Sequence, residues 1–238
     1  MVPRLVVFDL DGTLIDSQID LSNSINAMLV HLGKPELPRA VIAGYIGNGA
    51  NLLVRRSLGD TEGDIHDEAY VEDALRYFLD YYREHKLDYT YVYAGVMEAL
   101  EEIRRGFPGI AMAVLTNKPV RPSRDICAHF GLDRLFFQVY GGNSFSTKKP
   151  DPAGLKALME EASALHAGAG AVGPAETVMI GDSDVDVLTA RNCGAWAIGC
   201  TYGLAPHSLA AARPDALAGA PAEWPETLRA VAGAVMAG

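Results

Sequence analysis

The segment Val6-Val7-Phe8-Asp9-Leu10-Asp11-Gly12-Thr13-Leu14 constrains this chain more than any other. Its apolar start reads as a short buried strand, and Gly12-Thr13 marks a tight turn. Between them stand two carboxylates at alternate positions, Asp9 and Asp11, which share one face if the strand continues. Acids at the end of a buried strand are costly unless something positive lies between them. A divalent metal is the natural candidate. Such a pair can attack phosphorus with one carboxylate and protonate a leaving group with the other. An Asp-rich turn can equally do no more than cap a helix, so this segment does not settle the chemistry alone.

Strand and helix signals alternate through the second half of the chain. Ile110 to Leu115, Phe136 to Tyr140, Thr177 to Ile180 and Ala195 to Ile198 read as strands. Arg121 to Phe130, Pro152 to Leu165 and Asp184 to Cys193 read as helices, with Gly131 and Gly194 as stops. Short connections between alternating elements predict an α/β fold with a doubly wound parallel, Rossmann-like sheet. Ligands in such sheets bind beyond the carboxyl ends of the strands. Asp9, Thr116 and Asp182 all fall there.

Residues 17 to about 92 have a different texture, with helical periodicity and little strand signal. Leu21, Ile25, Met28, Leu29 and Leu32 share a helical face that Gly33 ends. Tyr70, Ala74, Tyr77, Phe78 and Tyr81 repeat the pattern, and the stripe reads as core packing. Asn51 to Leu58 is a third helical piece, stopped by Gly59. The insert is too long for a crossover. It reads as an α-helical cap over the strand ends, hinged near Leu14–Ser17 and Tyr91–Gly95. The expected division is therefore 1–16 with 93–238 as the core and 17–92 as the cap. His166 to Ala175 is a low-complexity connector, and Trp224 and Leu228 are expected to anchor a final helix.

A chain of 238 residues with 49% hydrophobic content can bury a substantial core. Its formal net charge of −10 argues against non-specific nucleic-acid binding, which needs a basic stripe. An anionic substrate must then be met by local cations against the global field. Cys127, Cys193 and Cys200 form no CxxC pair and read as reduced structural thiols of a cytosolic protein. His31, His85 and His129 fall on expected helices as surface or packing residues. No apolar run approaches the ~18 residues of a membrane span. A strand begins almost at once, so no signal peptide is expected and the cytoplasm is the expected location.

Three further segments add to the first. Val114-Leu115-Thr116-Asn117 is an apolar strand ending in a hydroxyl. Lys148-Lys149-Pro150-Asp151-Pro152 is a rigid loop carrying a cation. Thr177-Val178-Met179-Ile180-Gly181-Asp182-Ser183-Asp184-Val185-Asp186 is a strand ending in acids. In this order the four segments resemble the haloacid dehalogenase superfamily over nearly the whole chain. The resemblance implies Asp9 as nucleophile, forming an aspartyl-phosphate, and Asp11 as general acid and then base. It places Thr116 on a phosphoryl oxygen, beside a backbone N–H of Asn117, and Lys149 against Asp9 and the phosphoryl group. Mg2+ would suit Asp9, the main-chain carbonyl of Asp11 and Asp182. Asp186 would hold a metal-bound water, or cap the following helix. Asp184 reads as an exposed helix-start residue and Lys148 as solvated.

Dehalogenases of the superfamily lack an acid at the place of Asp11, which points instead to phosphate esters. Tyr45-Ile46-Gly47-Asn48-Gly49-Ala50, Leu115-Thr116-Asn117-Lys118-Pro119, Gly141-Gly142 and Thr201-Tyr202-Gly203 are similar to the bacterial phosphoglycolate phosphatases. Asn143-Ser144-Phe145-Ser146 and the long 166–175 connector depart from them. The implied reaction is Mg2+-dependent hydrolysis of a small phosphorylated metabolite, 2-phosphoglycolate, by a monomer or weak homodimer without nucleic-acid or membrane partners. Another small-metabolite phosphatase or a sugar phosphomutase stays open, and more remotely a non-catalytic phosphoprotein-binding module. A substrate carboxylate has to be read by the cap. Gly47, Asn48 and Gly49 can turn tightly and offer N–H groups. Arg55, on the helix beyond, offers a guanidinium fork.

Overall fold

The computed structural model of the chain describes residues 2–165 and 170–234. The first strand, β1 (Leu5–Phe8), is buried throughout and is followed by a two-residue strand β2 (Ile15–Asp16). Four helices come next: α1 (Gln18–His31), α2 (Arg39–Ala43), α3 (Ala50–Leu58) and α4 (Glu68–His85). After β3 (Tyr91–Val92) and α5 (Val96–Gly106) the chain alternates through β4 (Ala111–Leu115), α6 (Val120–His129), β5 (Gln138–Tyr140) and α7 (Ala153–Leu165). It continues with β6 (Thr177–Gly181), α8 (Asp184–Cys193), β7 (Trp196–Cys200), α9 (Leu209–Ala212), β8 (Ala216–Ala218) and α10 (Trp224–Ala234).

Six strands form one sheet in the order β5-β4-β1-β6-β7-β8, and every pairing is parallel. The chain winds outward from β1 in both directions, so a crevice opens at the carboxyl ends of the central strands. The three strands meeting there are β4, β1 and β6. Their next residues are Thr116, Asp9 and Asp182. This is why segments more than 60 residues apart in sequence converge.

Alternation sorts the central strands onto two faces. Val6, Phe8, Val114 and Ile180 pack with Leu100 of α5, Ile126 of α6 and Trp224 and Leu228 of α10. Leu5, Val7, Ala113 and Met179 pack with Leu155 and Leu158 of α7 and Val187 of α8. Covering both faces explains why these strands read as continuous apolar runs. Trp224 and Leu228 are fully buried, as expected of the anchors of the last helix.

Helices α1–α4 have a cluster of their own, including Ile25, Met28, Val54, Val71 and Phe78. The expected stripe on α4 holds at Ala74 and Phe78 and shifts by one residue at its ends, to Val71 and Tyr82. Val71, Ala74, Phe78 and Tyr82 are the buried set. Tyr70 and Tyr77 are half-buried against this cluster, Tyr77 stacking on His31, and the half-buried Tyr81 stacks on His85. The two connections to the sheet run side by side, because β2 and β3 pair antiparallel. Strands of two residues carry too little periodicity to be read from sequence, and the same is true of the five-residue α2. Part of the 166–175 connector lies outside the described residues. Among the described residues no helix is long and apolar enough to cross a membrane.

The junction is held by a buried carboxylate that sequence periodicity does not reveal. Asp20, on α1, accepts hydrogen bonds from the Tyr89 N–H (3.0 Å), the Thr90 N–H (2.8 Å) and the Thr90 hydroxyl (2.7 Å). Replacing it strands buried donors. Asp20→Ala is expected to lower the unfolding free energy by about 2–4 kcal/mol, read by denaturant titration. A loss under about 0.5 kcal/mol would show that water satisfies these donors equally well.

Candidate active site

Oxygens of Asp9, Asp182 and Asp186 lie within 4.8 Å of one another, and all three residues are buried. One cation stands among them. Lys149 Nζ is 3.0 Å from Asp9 Oδ1 and 2.6 Å from Asp186 Oδ1. Burial would lower the Lys149 ammonium's pKa, but Asp186 and Asp9 outweigh it and hold the group above its ordinary value. Asp186 also completes the N-terminal cap of α8. Its Oδ2 accepts from the Ser183 N–H (3.1 Å) and hydroxyl (2.8 Å). The sequence offered metal support and helix capping as alternatives for Asp186. Asp186 makes the cap with one oxygen and meets Lys149 with the other, and it stays within the acid cluster that could hold a metal ion.

The remaining acids are less satisfied. Asp9 Oδ1 accepts the Leu10 N–H at 2.7 Å, and Asp182 Oδ2 accepts the N–H groups of Leu204 (2.7 Å) and Ala205 (3.0 Å). Among the described residues no protein hydrogen bond reaches Asp9 Oδ2 or Asp182 Oδ1. Burial pushes Asp9 up to about 6; Lys149 opposes this and Asp186 adds to it. Burial, then Asp186 and Asp9, push Asp182 up to about 8. One lysine against three acids leaves a net negative pocket, which a divalent cation would relieve. The backbone crowds these acids into place. Gly12 has φ +85°, and a Cβ there would overlap the Asp182 carboxylate. A Cβ at Gly181 would overlap Asp186.

Asp11 faces the same cleft as Asp9 but in different company. Lys118 Nζ lies 3.0 Å from both of its oxygens, and the Ser17 hydroxyl donates to Oδ1 at 2.5 Å. Thr116, just past β4, is buried, and its hydroxyl oxygen accepts the Lys118 N–H at 3.3 Å. Asn117 bridges two layers. Its Nδ2 donates to the carbonyls of Gly47 and Lys149, both at 3.1 Å. Lys148, expected to be solvated, is exposed yet donates to the Asn48 carbonyl at 2.7 Å. The cleft lies between the strand ends and the inserted helices and is partly open to solvent.

The expected cap residues divide. Gly47 and Gly49 line the cleft. Gly49 has φ +90° and sits against the Asn117 carbonyl, where a Cβ would come within 3.0 Å. Asn48 turns away, and its side-chain oxygen accepts from Arg56 at 2.8 Å. Arg55 is not brought to the cleft. Its guanidinium pairs with the buried Asp60 (2.9 Å) and with Glu68 (2.6 Å), and its Nε donates to Asn51 (3.2 Å). Acids just beyond α3 claim the fork first. The cation that does reach the cleft is Lys118, which sequence reasoning used only as part of a matching stretch. Its place three residues past the end of β4 was the available signal. Tyr82 was missed with the one-residue shift of the α4 stripe. Its ring lies 4.6 Å from Lys118 Nζ.

Comparison with known proteins agrees with this geometry. Residues 6–200 match the family model for haloacid dehalogenase-like hydrolases. The phosphoglycolate phosphatase of Pseudomonas putida is 40% identical over 205 residues, covering 85% of this chain and 71% of that protein. The phosphoglycolate phosphatase of Vibrio vulnificus is 36% identical, covering 90% and 91%. A crystal structure of a predicted phosphoglycolate phosphatase from Haemophilus somnus 129pt superposes with a TM-score of 0.84 at 30% identity, covering 94% of this chain and 97% of that one. The parallel sheet, the acids at its central strand ends and these matches agree that the chain belongs to the haloacid dehalogenase-like hydrolase family.

Proposed function

We propose that this chain is a Mg2+-dependent phosphate-monoester hydrolase working through an aspartyl-phosphate, with 2-phosphoglycolate as its substrate. The observation that carries the reading is Asp9. One of its oxygens is held by Leu10 and Lys149, the other has no protein hydrogen bond among the described residues, and the residue opens on a cleft that Asp11 shares. The relatives named as phosphoglycolate phosphatases support the substrate.

The hard oxygen donors fit Mg2+. Asp9, Asp182 and the main-chain carbonyl of Asp11 would hold it, and Asp186 would support it while fixing Lys149. Bound there, the ion neutralises charge on the acids and on the phosphoryl oxygens. Asp9 attacks phosphorus, and the bond to the leaving oxygen breaks with its electron pair. Asp11, protonated, gives its proton to that oxygen. In the second half, water attacks phosphorus and passes a proton to the Asp11 carboxylate. The bond to Asp9 breaks and inorganic phosphate leaves. Thr116 and Lys149 donate to the phosphoryl oxygens, with the Asn117 backbone beside them. Helices α1–α4, within the stretch 17–92, serve as the cap that shields this chemistry from bulk water. The bridge from Asn117 to Gly47 holds their loop against the core.

Asp9→Asn is expected to lower kcat by at least about 1,000-fold with the fold intact by circular dichroism, because an amide does not attack phosphorus. Activity within about tenfold of the parent would remove Asp9 as nucleophile. Mg2+ should be required, and Ca2+ should inhibit, because it accepts both oxygens of a carboxylate at longer distances. Full turnover in excess chelator would contradict the metal.

Stability gives a readout independent of turnover. Asp9 and Asp182 hold protons in the folded chain that they release at lower pH when unfolded. Between those values the native state binds more protons, so stability in chelator falls as pH rises. Asp182→Asn should become more stable than the parent by on the order of 3 kcal/mol as pH goes from about 5 to about 8. Mg2+ should stabilise the parent more at the upper end. Parallel pH curves for the two proteins would contradict the electrostatic account.

A further inference from the structure

Lys118 is the only cation among the described residues lining the cleft. A buried ammonium needs an anion, and here it has Asp11. Asp11 does not depend on that pairing alone, since Ser17 also donates to it. Tyr82 reaches the same space from α4. It is 2% exposed; its oxygen faces the Lys118 ammonium, and its O–H proton has no acceptor within hydrogen-bond distance among the described residues. A buried orphan hydroxyl costs about 1–3 kcal/mol, so it marks a place where an acceptor belongs. Around the two groups the walls are apolar: Leu21, Leu53 and Phe78. An ammonium and a phenolic O–H facing a small apolar space match one ligand chemistry, a carboxylate accepting from both.

We infer that Lys118 and Tyr82 form the subsite for a carboxylate on the leaving group, and that this carboxylate takes Lys118 from Asp11 as it binds. The inference rests on the phosphomonoesterase reading and transfers recognition from the expected Arg55 to the core loop after β4. It also ties recognition to chemistry. While Lys118 spans both oxygens of Asp11, that carboxyl is held away from a leaving oxygen. An ester bearing a carboxylate releases it; an ester whose leaving group is uncharged leaves the pair closed.

The test compares 2-phosphoglycolate with ethyl phosphate, which has a methyl group in place of the carboxylate. Turnover is measured for the parent, Lys118→Met, Lys118→Arg and Tyr82→Phe. Binding of both esters is measured by calorimetry on Asp9→Asn with and without Lys118→Met. The ratio of kcat/KM for the two esters should fall at least about thirtyfold in Lys118→Met and recover substantially in Lys118→Arg. It should fall about fivefold in Tyr82→Phe, which keeps the ring and its packing. The binding preference should fall alongside. A parent preference that survives Lys118→Met overturns the subsite while leaving the hydrolase reading intact. Selective binding lost in Lys118→Met, with turnover of neither ester, supports the subsite and overturns the hydrolase reading. Equal binding of both esters by Asp9→Asn overturns the subsite outright.

Discussion

The ammonium of Lys149 stands between two buried carboxylates, Asp9 and Asp186, and the molecule is arranged to keep it there. Three acids are packed together because β1 and β6 are adjacent strands and both end in acids. Without the lysine the cluster would be a large uncompensated charge in a dry place. With it, the cluster remains negative enough to favour a divalent ion. Asp186 couples this electrostatics to the fold, since its second oxygen caps α8 through Ser183. Small residues do the rest. Gly12 and Gly181 leave the volume that the carboxylates of Asp182 and Asp186 occupy.

The inserted helices depend on the same few contacts. Asn117, one residue past Thr116, reaches both Gly47 and Lys149. Gly49 allows the close approach, and Lys148 adds a hydrogen bond to Asn48. The loop that grips phosphate in the proposed mechanism is therefore the one that touches the inserted helices. At the far side, β2 with β3 and the Asp20 hydrogen bonds define how the helices leave the sheet. In the proposed mechanism, shielding of the substrate and alignment of the strand-end residues would draw on one set of bonds.

Much of this was legible in the chain. Buried parallel strands must be apolar throughout, so runs such as Val6-Val7-Phe8 stand out, and the residue just past each run must face the crevice. That logic found Asp9, Thr116 and Asp182, and the family pattern added Lys149. It failed where contacts are made between elements. Arg55 looked available because its partners Asp60 and Glu68 belong to a loop and the next helix, and nothing local shows that they fold back on it. Tyr82 was lost to a one-residue error in helical phase, since aromatic residues crowd both sides of α4. Asp20 lies beside the apolar face of α1, one turn from Ser24, and its partners come from about 70 residues away. Lys118 was in plain view, but a lysine reads as solvated until an acid is seen beside it.

The central claim is that Asp9 carries the phosphoryl group between the two half-reactions. The most direct measurement is rapid acid quench of the parent turning over 2-phosphoglycolate with Mg2+, followed by borohydride reduction and peptide mapping. An acyl phosphate on Asp9 is reduced to homoserine, so the account predicts a mass change confined to position 9 that disappears without substrate. An unmodified Asp9 during rapid turnover, or modification at Asp11 or Asp182 instead, would contradict it.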